Sequence, residues 1–184
     1  MRQPKPIAGA RALLFERLVD LHRDQVEDER PLRILNREEL KASVRRELER
    51  LLNTRCSLPL HGFGETERSV VNYGIPDFSS LSAYNEDDHA LIASIIGQTI
   101  TAFEPRLRQV RVEVGPIGDG ESADTNLTNC RHDVFERGEP RAGSGARLRV
   151  LIEAVIIVGQ FNEPVSFPVL LNSKNGVAEI DDSQ

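Results

Sequence analysis

Glu104 is the acidic residue with the most pointed surroundings in this sequence, standing in Phe103-Glu104-Pro105-Arg106-Leu107. One chemistry open to a carboxylate is glycoside cleavage, which needs a second carboxylate roughly 5–9.5 Å away across a sugar cleft. The sequence places no second acid beside it. The chain has no Trp and only Tyr73 and Tyr84 as tyrosines, a poor set for stacking sugars. Metal binding is the next chemistry. Cys130, His132 and Asp133 lie close together, and Cys56 lies near His61. Neither group has paired Cys-x-x-Cys or His-Glu-x-x-His spacing, so coincidence in polar loops is the better reading. There is no nucleophile elbow, phosphate-binding loop or dinucleotide fingerprint. No catalytic residue, metal or cofactor is expected.

What remains is recognition. Glu104 and Arg106 cannot both be buried cheaply unless they pair. An arginine at such a junction can make forked bonds to carboxylates or carbonyls, of its own chain or of another. Both options stay open on the residues alone. The other informative segment is Arg68 to Asp77, RSVVNYGIPD. Gly74 permits positive φ, Pro76 holds Ile75 extended, and Asn72 and Asp77 can cap turns. A rigid packed loop is the plain reading, with Val70, Val71, Tyr73, Ile75, Phe78 and Leu81 turned inward.

The elements that must position these segments follow from periodicity. Leu14, Leu18 and Leu21 recur at helical spacing from about Ala10 to Asp24, followed by a polar stretch that Pro31 ends. Asn36 with Glu39 three residues later reads as a capping box, and Leu40, Val44, Leu48, Leu51 and Leu52 form the stripe of a second helix. A third helix starts at Asn85, carries Leu91, Ile92, Ile95, Ile96, Ile100 and Phe103, and stops before Pro105. The period then changes to two. Val110, Val112 and Val114 make one strand, and Leu148, Val150 and Ile152 lead a second into Ala154–Val158, a run apolar enough to be central or covered on both faces. Val165, Phe167, Val169 and Leu171 share one face of a third strand, in which Pro168 signals an edge. Asn175-Gly176 is a hairpin signal before a short last strand from Val177 to Ile180. Helices first and strands after give an α+β fold: N-terminal helices, then a mostly antiparallel sheet of three to four strands. The segment 115–146 reads as a polar inserted loop.

The chain has 184 residues, one domain with appendages: residues 1–30 as helix and linker, residues 31–184 as the domain. Lys and Arg number 23 against 29 Asp and Glu, a net charge of −6, which lacks the basic footprint of a nucleic-acid binder. Two cysteines make no disulfide scaffold and fit a reducing compartment. The N-terminus carries charges where a signal peptide needs an apolar run, and no stretch approaches a membrane span. A cytoplasmic protein without direct membrane insertion is expected.

SVVNYGIPDFSS followed by FEPRL resembles the TssE family, the baseplate wedge subunit of type VI secretion systems, and is similar to phage tail-wedge proteins. FERL (Phe15 to Leu18), LLNTR (Leu51 to Arg55) and EPVSF (Glu163 to Phe167) look like that family too, over a span from about Ala10 to Ile180. The resemblance implies a structural protein of a contractile injection system, held at the cytoplasmic face of the inner membrane by partners. It implies docking on the wedge proteins TssF, TssG and TssK, and initiation of the TssB–TssC sheath through strand edges. Glu104, Pro105 and Arg106 match the family's wedge-docking element, with Leu107 beside them. Asn72, Tyr73, Gly74, Pro76 and Asp77 form the second candidate group for partner binding. Alanine at Glu104 or Arg106 should then break wedge assembly in a domain that still folds. The family's lysozyme-like label makes a peptidoglycan hydrolase the alternative, and a metal-dependent regulator is a weaker third. Two departures stand out: the long 115–146 insert, and Pro168 where an ordinary strand residue is expected, which leaves the exposed edge open.

Overall fold

Capping and apolar spacing set the helices. The computed structural model describes residues 10–18, 34–64, 66–82, 84–117, 147–172 and 178–180. Helix α1 spans Leu14–Leu18, α2 Arg37–Asn53 and α3 Glu86–Phe103. The Asn36 side chain accepts from the Glu38 and Glu39 amides at 3.0 Å, and the Glu39 carboxylate accepts from the Asn36 amide at 2.8 Å, the expected capping box. Asn85 caps α3 through the Asp87 amide. Helix α2 buries Leu40, Val44, Leu48, Leu51 and Leu52, and α3 buries Ile92, Ile95, Ile96 and Ile100. Each such side chain contributes roughly 2 kcal/mol of transfer free energy, so this packing, more than helix propensity, holds the helices.

The strands form one antiparallel sheet in the order β1-β2-β3-β4, with β1 at Leu107–Pro116, β2 at Arg147–Val158, β3 at Phe161–Asn172 and β4 at Ala178–Ile180. The class is α+β, helices first. Helix α3 lies over β1, while α2 packs on β4 and α3. Leu148, Val150, Ile152, Ala154 and Ile156 of β2 meet Phe167, Val169 and Leu171 of β3 in the core.

Several expectations change. Leu14 and Leu18 are 65% and 70% exposed, so the leucines of α1 face away from the domain. Its inner side is Glu16, while Ala10 and Ala12 are buried and Leu35 donates its amide to the Ala10 carbonyl at 2.7 Å. The remainder of the expected first helix, beyond Leu18, lies outside the described residues, as do the linker, residues 118–146 and the Asn175-Gly176 turn. Leu91, placed in the apolar band of α3, is exposed. Residues 154–158 are central in the sheet, yet among the described residues helices cover only one face: Val155 is half-buried and Ile157 exposed on the other. Strand β4 adds outside β3 but pairs only with Val169, Leu170 and Leu171, so Pro168 just before them keeps an outer side with no strand partner among the described residues, as an edge proline should.

Candidate functional site

The Glu104–Arg106 junction is built by the end of α3. The Glu104 amide closes the helix on the Ile100 carbonyl at 2.8 Å, and Pro105 turns the chain. The Leu107 amide donates to the Glu104 carbonyl at 3.1 Å, and the Arg106 carbonyl accepts from Ile157, which anchors the junction to β2. Glu104 is only 4% exposed, and Leu107 is buried beside it. Arg106 grips the carboxylate with both arms of its fork, Nε to Oε1 and Nη2 to Oε2, each at 2.7 Å. Of the two options open on the residues, the internal pair is therefore made. Arg106 Nη1 also donates to Ser43 Oγ at 2.9 Å.

Ser43, fully buried on α2, passes the contact on. Its hydroxyl donates to Glu16 Oε2 at 3.1 Å, and Glu16 Oε1 accepts from Arg46. One chain of bonds thus joins α1, α2 and the junction, and the FERL and EPRL segments meet through α2. Burial by itself would raise the Glu16 carboxyl. The bonds from Arg46, Ser43 and the Leu13 amide outweigh it and hold the group below the usual carboxylate range. Sequence reasoning missed Ser43 and Glu16. The available signal was a small polar residue inside the stripe of α2, between Leu40 and Val44.

The second candidate group is brought to the same end of the fold. Tyr73 packs edge-to-face on Phe103, the residue before Glu104, with ring centroids 5.1 Å apart. Burial, with the negative charge of Glu47 and Glu104 nearby, pushes its hydroxyl up. Gly74 has φ +109°, as its position predicts, and lets the Ile75 amide reach the Thr54 carbonyl at 2.9 Å while the Cys56 amide returns to the Ile75 carbonyl at 3.0 Å. The loop is thereby tied to LLNTR at the end of α2. Asn72 is buried and closes a turn over Val70–Asn72, accepting from the Ser69 amide at 2.7 Å and donating to the Glu67 carbonyl at 2.9 Å. Pro76 follows the buried Ile75, and Asp77 caps the next turn through both Ser79 donors, which lower its carboxyl. Val70 and Val71 break the expectation: they are 89% and 85% exposed, because the capped turn points both outward. Ile75 and Phe78 are buried as expected, and Tyr73 and Leu81 are partly buried.

A third charged cluster sits under EPVSF. Glu163 is buried, and one of its oxygens receives both Arg37 and Lys41, a turn apart on α2, with Lys41 Nζ at 2.8 Å. Burial raises this carboxyl, but the bonds from Arg37 and Lys41 and their charges lower it further than burial raises it. A carboxyl depressed in the folded state adds stability above its unfolded value, about 4.3, and loses it as pH falls through the folded value. Glu163→Gln should therefore melt below wild type at pH 7, with the gap closing below about pH 4. Thermal melts from pH 7 to pH 3 check this, and a constant gap would mean that the charge is not the source.

Among the described residues no group of three or more His, Cys, Asp or Glu is placed to hold a metal ion. Cys130, His132 and Asp133 lie outside the described residues. No described helix is long and apolar enough to cross a membrane.

Fold and site together define an α+β scaffold whose distinctive motifs lock helices and sheet around one rigid junction. The sequence matches the family described as baseplate wedge protein gp25 over residues 38–130. That is just over half of the chain, and the chain belongs to this family of structural baseplate proteins. No curated protein and no solved structure matches it.

Proposed function

We propose that this chain is the TssE-type wedge subunit of a type VI secretion baseplate, linking the wedge to the first ring of the contractile sheath. The observation that carries the reading is the family match over residues 38–130, a span that holds both Asn72–Asp77 and Glu104–Leu107. In this reading the junction meets the wedge proteins TssF, TssG and TssK. Of the five N–H groups of the Arg106 guanidinium, three are engaged by Glu104 and Ser43. The two others, one on each terminal nitrogen, are the donors a partner carboxylate or carbonyl would take. Asn72, Tyr73, Gly74, Pro76 and Asp77 shape the adjoining surface, from which Val70 and Val71 project. The sheath proteins TssB and TssC join by strand addition to the sheet. The work is done at the cytoplasmic face of the inner membrane, with partners supplying the attachment. The division into residues 1–30 and a domain of residues 31–184 belongs to the same proposal, with α1 held on α2 by Glu16.

The hydrolase alternative gains nothing from the junction. Both Glu104 oxygens accept from Arg106, an arrangement that serves a structural role better than proton delivery to a sugar. The test is sheath nucleation. Purified baseplate with this chain should seed TssB–TssC sheath that pellets on centrifugation, and baseplate lacking it should not. Equal sheath from both would sink the proposal.

A further inference from the structure

Glu104 and Arg106 stand in one turn, so their forked pair moves as a unit with that turn. Among the described residues both carboxylate oxygens accept from Arg106 alone, Oε1 from Nε and the Arg106 amide, Oε2 from Nη2. The bond from Arg106 Nη1 to Ser43 Oγ, at 2.9 Å, is the one side-chain hydrogen bond described that ties the pair to another element. A planar fork gripped at Nε and Nη2 can still tilt together with its carboxylate, and a third contact on Nη1 removes that freedom.

The charges set the direction of the Ser43 bonds. A guanidinium only donates and an ionised carboxylate only accepts. The single hydroxyl proton of Ser43 therefore goes to Glu16 Oε2, at 3.1 Å, and its lone pairs are left for Arg106. A hydroxyl inside a helix commonly donates instead to the carbonyl four residues back. Thr99 and Thr101 of α3 do so, to Ile95 and Gly97, each at 2.8 Å. Glu16 thus draws Ser43 out of that bond, and Glu16 is itself fixed by Arg46 and the Leu13 amide.

We propose that Ser43 and Glu16 are positioning residues for Arg106: with α1 seated, Glu16 turns the Ser43 hydroxyl to the junction, and Ser43 holds the guanidinium in one orientation with its two unused N–H groups ready for a partner. The use of those groups by a partner carboxylate or carbonyl rests on the wedge-docking reading above, whereas the positioning is a property of the chain alone. Helix α1 acts on the junction through one hydroxyl. By reciprocity, a partner that takes the Arg106 donors also steadies α1.

Heteronuclear NMR of the Arg106 guanidinium in the full chain tests this, because rotation of each terminal nitrogen about its bond to Cζ reports the bonds it makes. Ser43→Ala and Glu16→Ala should both speed rotation at Nη1 at least about tenfold, the scale of one lost charge-assisted bond. The Nε–H signal should stay in place, since Glu104 still holds it. Glu163→Gln weakens the fold from a separate cluster and should leave both signals as in wild type. A merely structural role would loosen Nη1 in all three variants alike, and that result overturns the proposal, as does unchanged rotation in Ser43→Ala. Faster rotation in Ser43→Ala with none in Glu16→Ala overturns the role of α1. If Ser43→Ala does not fold, the unaltered chain decides: an Arg106 Nη1 that turns as fast as that of the exposed Arg17 overturns the proposal. Capture of the wedge gene products separates positioning from docking. Ser43→Ala, with Glu104 and Arg106 intact, should recover several-fold less than wild type, and Glu163→Gln as much. Equal recovery by Ser43→Ala overturns the use of this positioning in docking. Wild type that captures nothing sinks the wedge reading, and the rotation rates then decide the positioning by themselves.

Discussion

Arg106→Ala is expected to lower stability by about 3 kcal/mol, the lower end of what breaking a buried ion pair costs. Its partner Glu104 would be left 4% exposed with neither forked bond, and Ser43 would lose the donor that links it to the junction. For a domain of this size the melting temperature should fall by roughly 6–12 °C. Thermal unfolding by circular dichroism reads this directly, and an unchanged midpoint would mean that the pair is not made in solution. The expectation that the variant domain still folds is kept, but its stability is no longer a neutral background. Arg106→Lys separates the two roles, since it keeps the charge and loses the fork. Its melting temperature should lie between wild type and Arg106→Ala.

Gly74→Ala is expected to be at least as damaging. An added Cβ would lie 2.3 Å from the Thr54 carbonyl oxygen and 2.8 Å from its carbon, both backbone atoms with little room to yield. The φ of +109° strains any L side chain in addition. Clash and strain together should cost roughly 3 kcal/mol or more, and they would part Ile75 from Thr54 and Tyr73 from Phe103. Gly115→Ala is the control: nothing lies within 4 Å of the new Cβ, and the change should stay within about 0.5 kcal/mol. Denaturant unfolding of both variants checks the contrast. Similar midpoints for the two would contradict the close approach of the loop to α2.

Much of this was legible in the residues, where a local rule acts alone. The Asn36–Glu39 box, the Asn85 cap, the stop at Pro105 and the positive φ of Gly74 all come from neighbours in sequence. Alternation placed Leu148, Val150 and Ile152 on the buried face of β2 and Phe167, Val169 and Leu171 on that of β3. What was not legible depends on a distant partner. Leu14 and Leu18 read as an inner stripe, yet Ser43 and Arg46, about thirty residues away, draw Glu16 inward and turn the leucines out. Val70 and Val71 read as packed because their apolarity says nothing about the turn that presents them. The two cations on Glu163 were hidden for the same reason: Arg37 and Lys41 look like a wet helix face until β3 is placed beside them. The shared motifs thus carry more internal structure than their reading as contact residues implied, and what they offer a partner is the rigid surface they build.

The central claim is that this chain joins the wedge through the Glu104–Leu107 junction. Co-expression with the neighbouring wedge gene products, followed by capture on this chain, tests it most directly. Wild type should bring down the wedge proteins as one complex. Arg106→Lys, at a temperature where it is fully folded, should bring down far less. Wild type recovered alone while the wedge proteins are soluble, or equal recovery by the variant, would contradict it.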